Sequence, residues 1–184
     1  MRDPDTALAQ NVVLVDVVDE LPRRRPFPKR ADEIDRLIIH HSGALGAPGY
    51  AGMKGSAQYT IAPKQGKPGG RGFAYTFWAP YKPPAFGPLT IFRGNRDDVR
   101  SAHTSRWNDR GVALVLQGNL GALGGPSTAQ ITMLEAFVPW AIARYDLVMP
   151  QGLTYHRECT GKKLCPGGAA EVWIEAFRTT WKPR

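Results

Sequence analysis

A chain of 184 residues with 24 basic and 16 acidic side chains, formally +8, has the size of one domain and can bury a core without cross-links. Its 42% apolar and 22% charged residues are ordinary for a globular protein and exclude a disordered or low-complexity chain. The positive excess favours anionic surroundings, and with no RNA- or DNA-binding signature beside it, nucleic acid is not an expected partner.

Residues 1–10 read as a loose leader. From Asn11 to Leu21 the chain holds Val-Val-Leu-Val-Asp-Val-Val, a β-branched strand signal that stops at Pro22. The apolar run Val12 to Val18 is short and broken by Asp16, so no stable membrane insertion is expected. The polar start, with no small-residue cleavage site, argues against a signal peptide and for synthesis in the cytoplasm. Residues 22–30 read as a basic, proline-bearing surface loop. Arg36 to His40 predicts a short strand ending at the Ser42-Gly43 turn. Gly and Pro dominate from Gly43 to Gly72, leaving at most a short helix around Ser56 to Ile61.

Phe73 to Trp78 and Leu89 to Phe92 predict two more strands. Gly111 to Gln117 is nearly all apolar, as in a strand buried on both faces. Thr128 to Leu147 predicts the longest helix, capped by Ser127 or Thr128. Ile131, Leu134, Val138, Ala141, Ile142 and Tyr145 form its apolar stripe, and Pro139 should kink it or remove one hydrogen bond. A last helix is expected from Ala169 to Trp181. Strands interleaved with two long helices give an α/β fold, a single domain with a central mixed β-sheet flanked by helices. In that reading residues 1–33 are a leader, strand and basic loop packed on a domain formed by residues 34–184.

The four histidines, His40, His41, His103 and His156, all fall inside three strings: Leu37-Ile-Ile-His-His-Ser42, Ser101-Ala-His-Thr104, and His156 followed nine positions later by Cys165-Pro-Gly167. The only cysteines are Cys159 and Cys165. Without a secretory signal, a disulfide between them is a weaker reading than a metal ligand or reactive thiol. A lone histidine or cysteine is more often structural. Two imidazoles and a thiolate together are the donor set of an open zinc site, with the fourth position left to water, and they point to metal-assisted hydrolysis. Strand alternation puts His40 and His41 on opposite faces, so only one of them can reach a shared metal.

Leu37-Ile-Ile-His-His-Ser-Gly43 resembles the first ligand strand of the zinc N-acetylmuramoyl-L-alanine amidases, a family that includes bacteriophage lysozyme-amidases and animal peptidoglycan-recognition proteins. Ser101-Ala-His-Thr104, Trp107-Asn108, the segment Gly111 to Asn119, Pro126-Ser-Thr-Ala-Gln130, Tyr155-His-Arg157 and Cys165-Pro-Gly167 resemble further segments of that family in the same order, over about residues 34–181. The resemblance implies the peptidoglycan-recognition/amidase fold. It implies His40, His156 and Cys165 as ligands of one zinc ion per chain, and Tyr75 and Lys163 as catalytic residues. His103 would lie near the cleft without binding the metal, and with Asn108 it would be on the substrate side. His41 would be second to the site, and Cys159 has no counterpart.

The activity so implied is hydrolysis of the amide between N-acetylmuramic acid and L-alanine in bacterial peptidoglycan. The expected setting is a phage or prophage endolysin: a monomer made in the cytoplasm that acts on the wall after release, drawn there by its basic surface. Two alternatives stand beside it. A non-catalytic peptidoglycan-binding module would lack the third ligand, which Cys165 supplies here. A cytosolic muropeptide-recycling amidase would carry aspartate at that position. Segments 43–72 and 79–88 depart from the family, so stem-peptide preference does not transfer.

Overall fold

The computed structural model describes residues 6–9, 11–65, 68–82, 87–161 and 164–182. Its elements in chain order are β1 (Thr6–Ala9), β2 (Val12–Asp16), a 3-10 turn (Val18–Glu20), β3 (Arg36–His41), α1 (Gly49–Ile61), β4 (Phe77–Ala79), β5 (Leu89–Arg93), β6 (Gly111–Leu116), α2 (Thr128–Arg144), β7 (Leu153–Tyr155), α3 (His156–Thr160) and α4 (Gly168–Thr180). The strands form one mixed sheet in the order β1-β2-β5-β4-β6-β3-β7. Every residue of β6 is buried, as its unbroken apolar run requires. It pairs in parallel with β3 on one side and β4 on the other, and β7 joins β3 in parallel at the edge. The antiparallel pairs are β4 with β5 and β1 with β2.

Helices α2 and α4 cover one face. Leu37, Ile39, Phe77 and Leu114 meet Leu134, Phe137 and Ile174 in the larger core, where the rings of Phe77 and Phe137 stand edge to face at 4.8 Å. Helix α1 covers part of the other face, where Met53 and Ala57 pack with Phe73, Trp78 and Val115. Ser127 caps α2 in a reciprocal box: its hydroxyl accepts from the Gln130 amide, and the Gln130 side chain accepts from the Ser127 amide. The buried Gln130 carboxamide also donates to the carbonyls of Ala79 and Gln117, locking the helix start to the ends of β4 and β6.

Several elements differ from the sequence expectation. Residues 6–9 of the supposed leader form the edge strand β1. Helix α1 begins at Gly49 and not at Ser56, although glycines at 49, 52 and 55 lower its propensity. Gly52 is there for space: a Cβ would lie 2.1 Å from the Ala47 carbonyl oxygen. Residues 73–76 are not strand, and β4 is confined to Phe77–Ala79. Helix α2 ends at Arg144 and continues through Pro139; Met133 and Phe137 join its buried face, while Ile131 and Tyr145 are only partly buried. The short β7 and α3 had no strong periodic signal. No helix among the described residues is long and apolar enough to cross a membrane.

Candidate metal centre

Alternation along β3 decides which histidine faces the site. Leu37 and Ile39 enter the core beneath α2, and His41 follows them, its Nδ1 accepting from the Leu120 amide at 3.2 Å. Burial pushes the His41 pKa down. His40 takes the opposite face, with its ring centroid 5.1 Å from that of Tyr75 and 4.5 Å from that of His156. The parallel pairing of β3 with β7 sets Ile39 level with Tyr155, and the residue after each is one of the two histidines, His40 on β3 and His156 as the first residue of α3. Sheet register, with the start of α3 directly after β7, therefore brings His40 and His156 together.

Cys165 comes to the same place from beyond α3. Gly161 closes that helix in the left-handed conformation (φ 68°), and the Cys165 carbonyl accepts from the Arg157 amide at 2.8 Å. Its sulfur then lies 3.3 Å from the His41 backbone nitrogen, which donates to it, and 3.8 Å from Nδ1 of His40. One donor atom from each of His40, His156 and Cys165 lies within 4.8 Å of the others. A tetrahedral zinc ion holds neighbouring nitrogen and sulfur ligands about 3.3–3.6 Å apart, so this donor set needs only a small contraction to fit one. Thiolate with imidazole suits zinc better than a hard cation.

Two loops line the cluster. Tyr75 sits just before β4, and its segment is pinned by Asn95, whose buried carboxamide nitrogen donates to the carbonyls of Phe73 at 2.7 Å and Tyr75 at 2.6 Å. Burial, and then the charge of Cys165, push the Tyr75 hydroxyl up to about 12, so it stays protonated at neutral pH. The second loop carries His103 and Thr104 toward His40. Thr104 Oγ1 is 3.1 Å from His40 Nε2 and 3.0 Å from His103 Nδ1, and His103 Nε2 is 3.1 Å from the Gly111 carbonyl. Burial holds His103 down to about 4. Asn108 Oδ1 accepts from the Thr104 amide at 2.8 Å. Arg30 ties this loop down, its guanidinium donating to five carbonyls, those of Asp97, Val99, Asn108, Asp109 and Gly111.

The structure thus gathers His40, His156, Cys165, Tyr75 and His103 around one point and places Asn108 in the loop beneath it. Lys163 lies outside the described residues. Cys159 stands apart from the cluster, its sulfur 3.7 Å from Thr154 Oγ1 and its thiol pushed up by burial. Sequence reasoning missed three supporting residues. Thr104 was visible as part of Ser101-Ala-His-Thr104. Arg30 lies in the stretch that reads as a basic surface loop, and Asn95 carries no signal in the sequence.

No protein-family model matches the sequence, and no curated protein matches it. Solved structures do. The endolysin N-acetylmuramoyl-L-alanine amidase LysCS from Clostridium intestinale URNW superposes with a TM-score of 0.67 at 20% identity, over 89% of this chain and 93% of that one. The Drosophila peptidoglycan-recognition protein PGRP-LB gives 0.69 at 20% identity, over 90% and 94%. The peptidoglycan-recognition protein LE, solved with tracheal cytotoxin, a monomeric diaminopimelic acid-type peptidoglycan, gives 0.67 at 14% identity, over 86% and 91%. The sheet order, the covering helices and the near end-to-end superpositions agree: this chain has the fold shared by N-acetylmuramoyl-L-alanine amidases and peptidoglycan-recognition proteins.

Proposed function

We propose that the protein is a zinc-dependent N-acetylmuramoyl-L-alanine amidase acting on bacterial peptidoglycan in the manner of a phage or prophage endolysin. The observation that carries this reading is the donor set of His40, His156 and Cys165 within 4.8 Å, set beside a buried tyrosine hydroxyl. The endolysin and the recognition protein with a bound muropeptide share the fold and make a cell-wall polymer the natural substrate class. A zinc ion held by these three residues would supply Lewis-acid polarisation and a water acidified to near neutral pKa.

The remaining chemistry belongs to the chain. Water oxygen adds to the carbonyl carbon of the lactyl group, the carbon–nitrogen bond breaks, and the L-alanine amine leaves with a proton. Tyr75, a neutral hydroxyl next to His40, acts as a hydrogen-bond donor to the oxygen that gains charge. Lys163 is proposed from its sequence position to stabilise the same oxyanion by charge. Asn108 and His103 shape the floor of the site, and any substrate contact of Asn108 would come from its amide nitrogen, since its oxygen holds Thr104.

The test is an amidase assay on purified peptidoglycan with metal content determined on the same sample, wild type beside Cys165→Ser. The expected result is one zinc per chain and newly released L-alanine amino termini, both lost in the variant. Tight wall binding with neither metal nor cleavage would replace the enzyme with a recognition module.

A further inference from the structure

The contacts around Thr104 form a chain in which the position of every proton follows from its first link. The Gly111 carbonyl can only accept, so His103 Nε2, 3.1 Å away, must carry a hydrogen. His103 is 8% exposed and its two ring nitrogens face a backbone carbonyl and a hydroxyl, both uncharged, so the buried ring is held in its uncharged form by the cost of burying an unpaired charge. A neutral imidazole has one N–H, so His103 Nδ1 is an acceptor, and the hydrogen between it and Thr104 Oγ1 at 3.0 Å is the hydroxyl's. A hydroxyl has a single hydrogen. Thr104 must therefore accept on its other side, and the donor 3.1 Å away is Nε2–H of His40. With its hydrogen on Nε2, a neutral His40 has a bare lone pair on Nδ1, the nitrogen 3.8 Å from Cys165.

We propose that Thr104 and His103 are positioning residues that fix His40 in the Nε2–H tautomer and so keep its Nδ1 unprotonated and aimed at the metal position. The effect on metal affinity rests on the zinc reading of the site; the tautomer itself does not. A metal-ligating histidine needs a partner on its far nitrogen to set ring orientation and tautomer, and removing such a partner lowers metal affinity by about 10–100-fold. Here that partner is a hydroxyl whose own direction is set by a second histidine and a backbone carbonyl. Gly111, where the chain ends, has no room for a side chain: a Cβ would lie 2.9 Å from the Trp107 carbonyl oxygen and 3.3 Å from His103 Cε1. The Arg30 guanidinium donates to the same carbonyl at 3.1 Å, which strengthens its hold as the fixed end.

The experiment uses protein with ¹⁵N-labelled histidine, metal-free and zinc-loaded, in the wild type and in Thr104→Val and Thr104→Ser. In metal-free wild type, nitrogen shifts should show His40 and His103 each protonated at Nε2. Thr104→Val keeps shape but removes the hydroxyl; it should give a mixed His40 tautomer and a zinc affinity lower by about 10–100-fold in chelator competition. Thr104→Ser should restore both. A His40 protonated at Nδ1 in metal-free wild type, or a Thr104→Val protein with wild-type tautomer and affinity, would overturn the proposal. A wild type with these tautomers but no zinc uptake would support the hydrogen-bond chain and count against the zinc amidase instead.

Discussion

The backbone nitrogen of His41 donates to the sulfur of Cys165 across 3.3 Å, although the two residues lie 124 positions apart in sequence. That donor helps fix the sulfur beside Nδ1 of His40, where a metal would take it as a ligand. The two cysteines should therefore behave differently. Cys165→Ala should lower zinc affinity by more than tenfold, whereas Cys159→Ser should leave affinity and turnover within about twofold, since the Cys159 sulfur pairs with Thr154 Oγ1 outside the cluster. Chelator competition on the two variants checks this, and equal losses in both would contradict it.

Tyr75 should act on rate rather than on metal. Tyr75→Phe removes only the hydroxyl, so zinc stoichiometry should stay at the wild-type value while kcat falls on the order of 10²–10³-fold. A variant with full turnover would assign the ring to packing against His40 and Phe73 alone.

Asn95 supports that tyrosine from behind. Asn95→Ala would leave the buried Phe73 carbonyl and the part-buried Tyr75 carbonyl without their donor, at a cost of about 2–4 kcal/mol. Thermal unfolding should show this as a drop of roughly 5–15 °C. Because the loosened segment carries Tyr75, kcat should also fall while zinc affinity holds. A loss of stability with kcat untouched would confine Asn95 to the scaffold.

His103 makes the metal-free protein sensitive to acid. Its folded pKa of about 4 lies below the ordinary 6.5. Below pH 6.5 the unfolded chain takes up a proton that the folded one refuses, so stability should fall from about pH 6.5 to about pH 4 and level off beneath. At about 1.4 kcal/mol per pKa unit the loss from this group is about 3 kcal/mol. Denaturant titrations at several pH values in the presence of chelator measure it. His103→Gln should flatten that part of the profile, and an unchanged slope would place the acid sensitivity elsewhere.

Much of this was legible in the residues. The continuous apolar run of β6 and the capped, striped α2 are the two strongest periodic signals, and both elements start where they were expected, α2 ending three residues early at Arg144. The opposite facing of His40 and His41 follows from a period of two and needs nothing else. What could not be read depends on the third dimension. Helix α1 is written in glycines, and its place is set by the fit of Gly52 against the Ala47 carbonyl. Strand β7 is three residues long and owes its existence to the free edge of β3. Arg30 and Asn95 bind backbone carbonyls, which every residue carries, so no pattern of side chains points to their targets.

The sheet order has a mechanical consequence. Strand β3 and its partner β7 form one edge, β1 the other, and a cation shared by His40, His156 and Cys165 would work as a clasp between parts of the chain up to 125 positions apart. Closing so long a loop in an unfolded chain is entropically costly, so the clasp engages only once the sheet has assembled. Each tenfold rise in free ion above the dissociation constant would then add about 1.4 kcal/mol to the folded state. The melting temperature would report the zinc around the protein, and the hairpin at the far edge could be cut or extended without undoing the clasp.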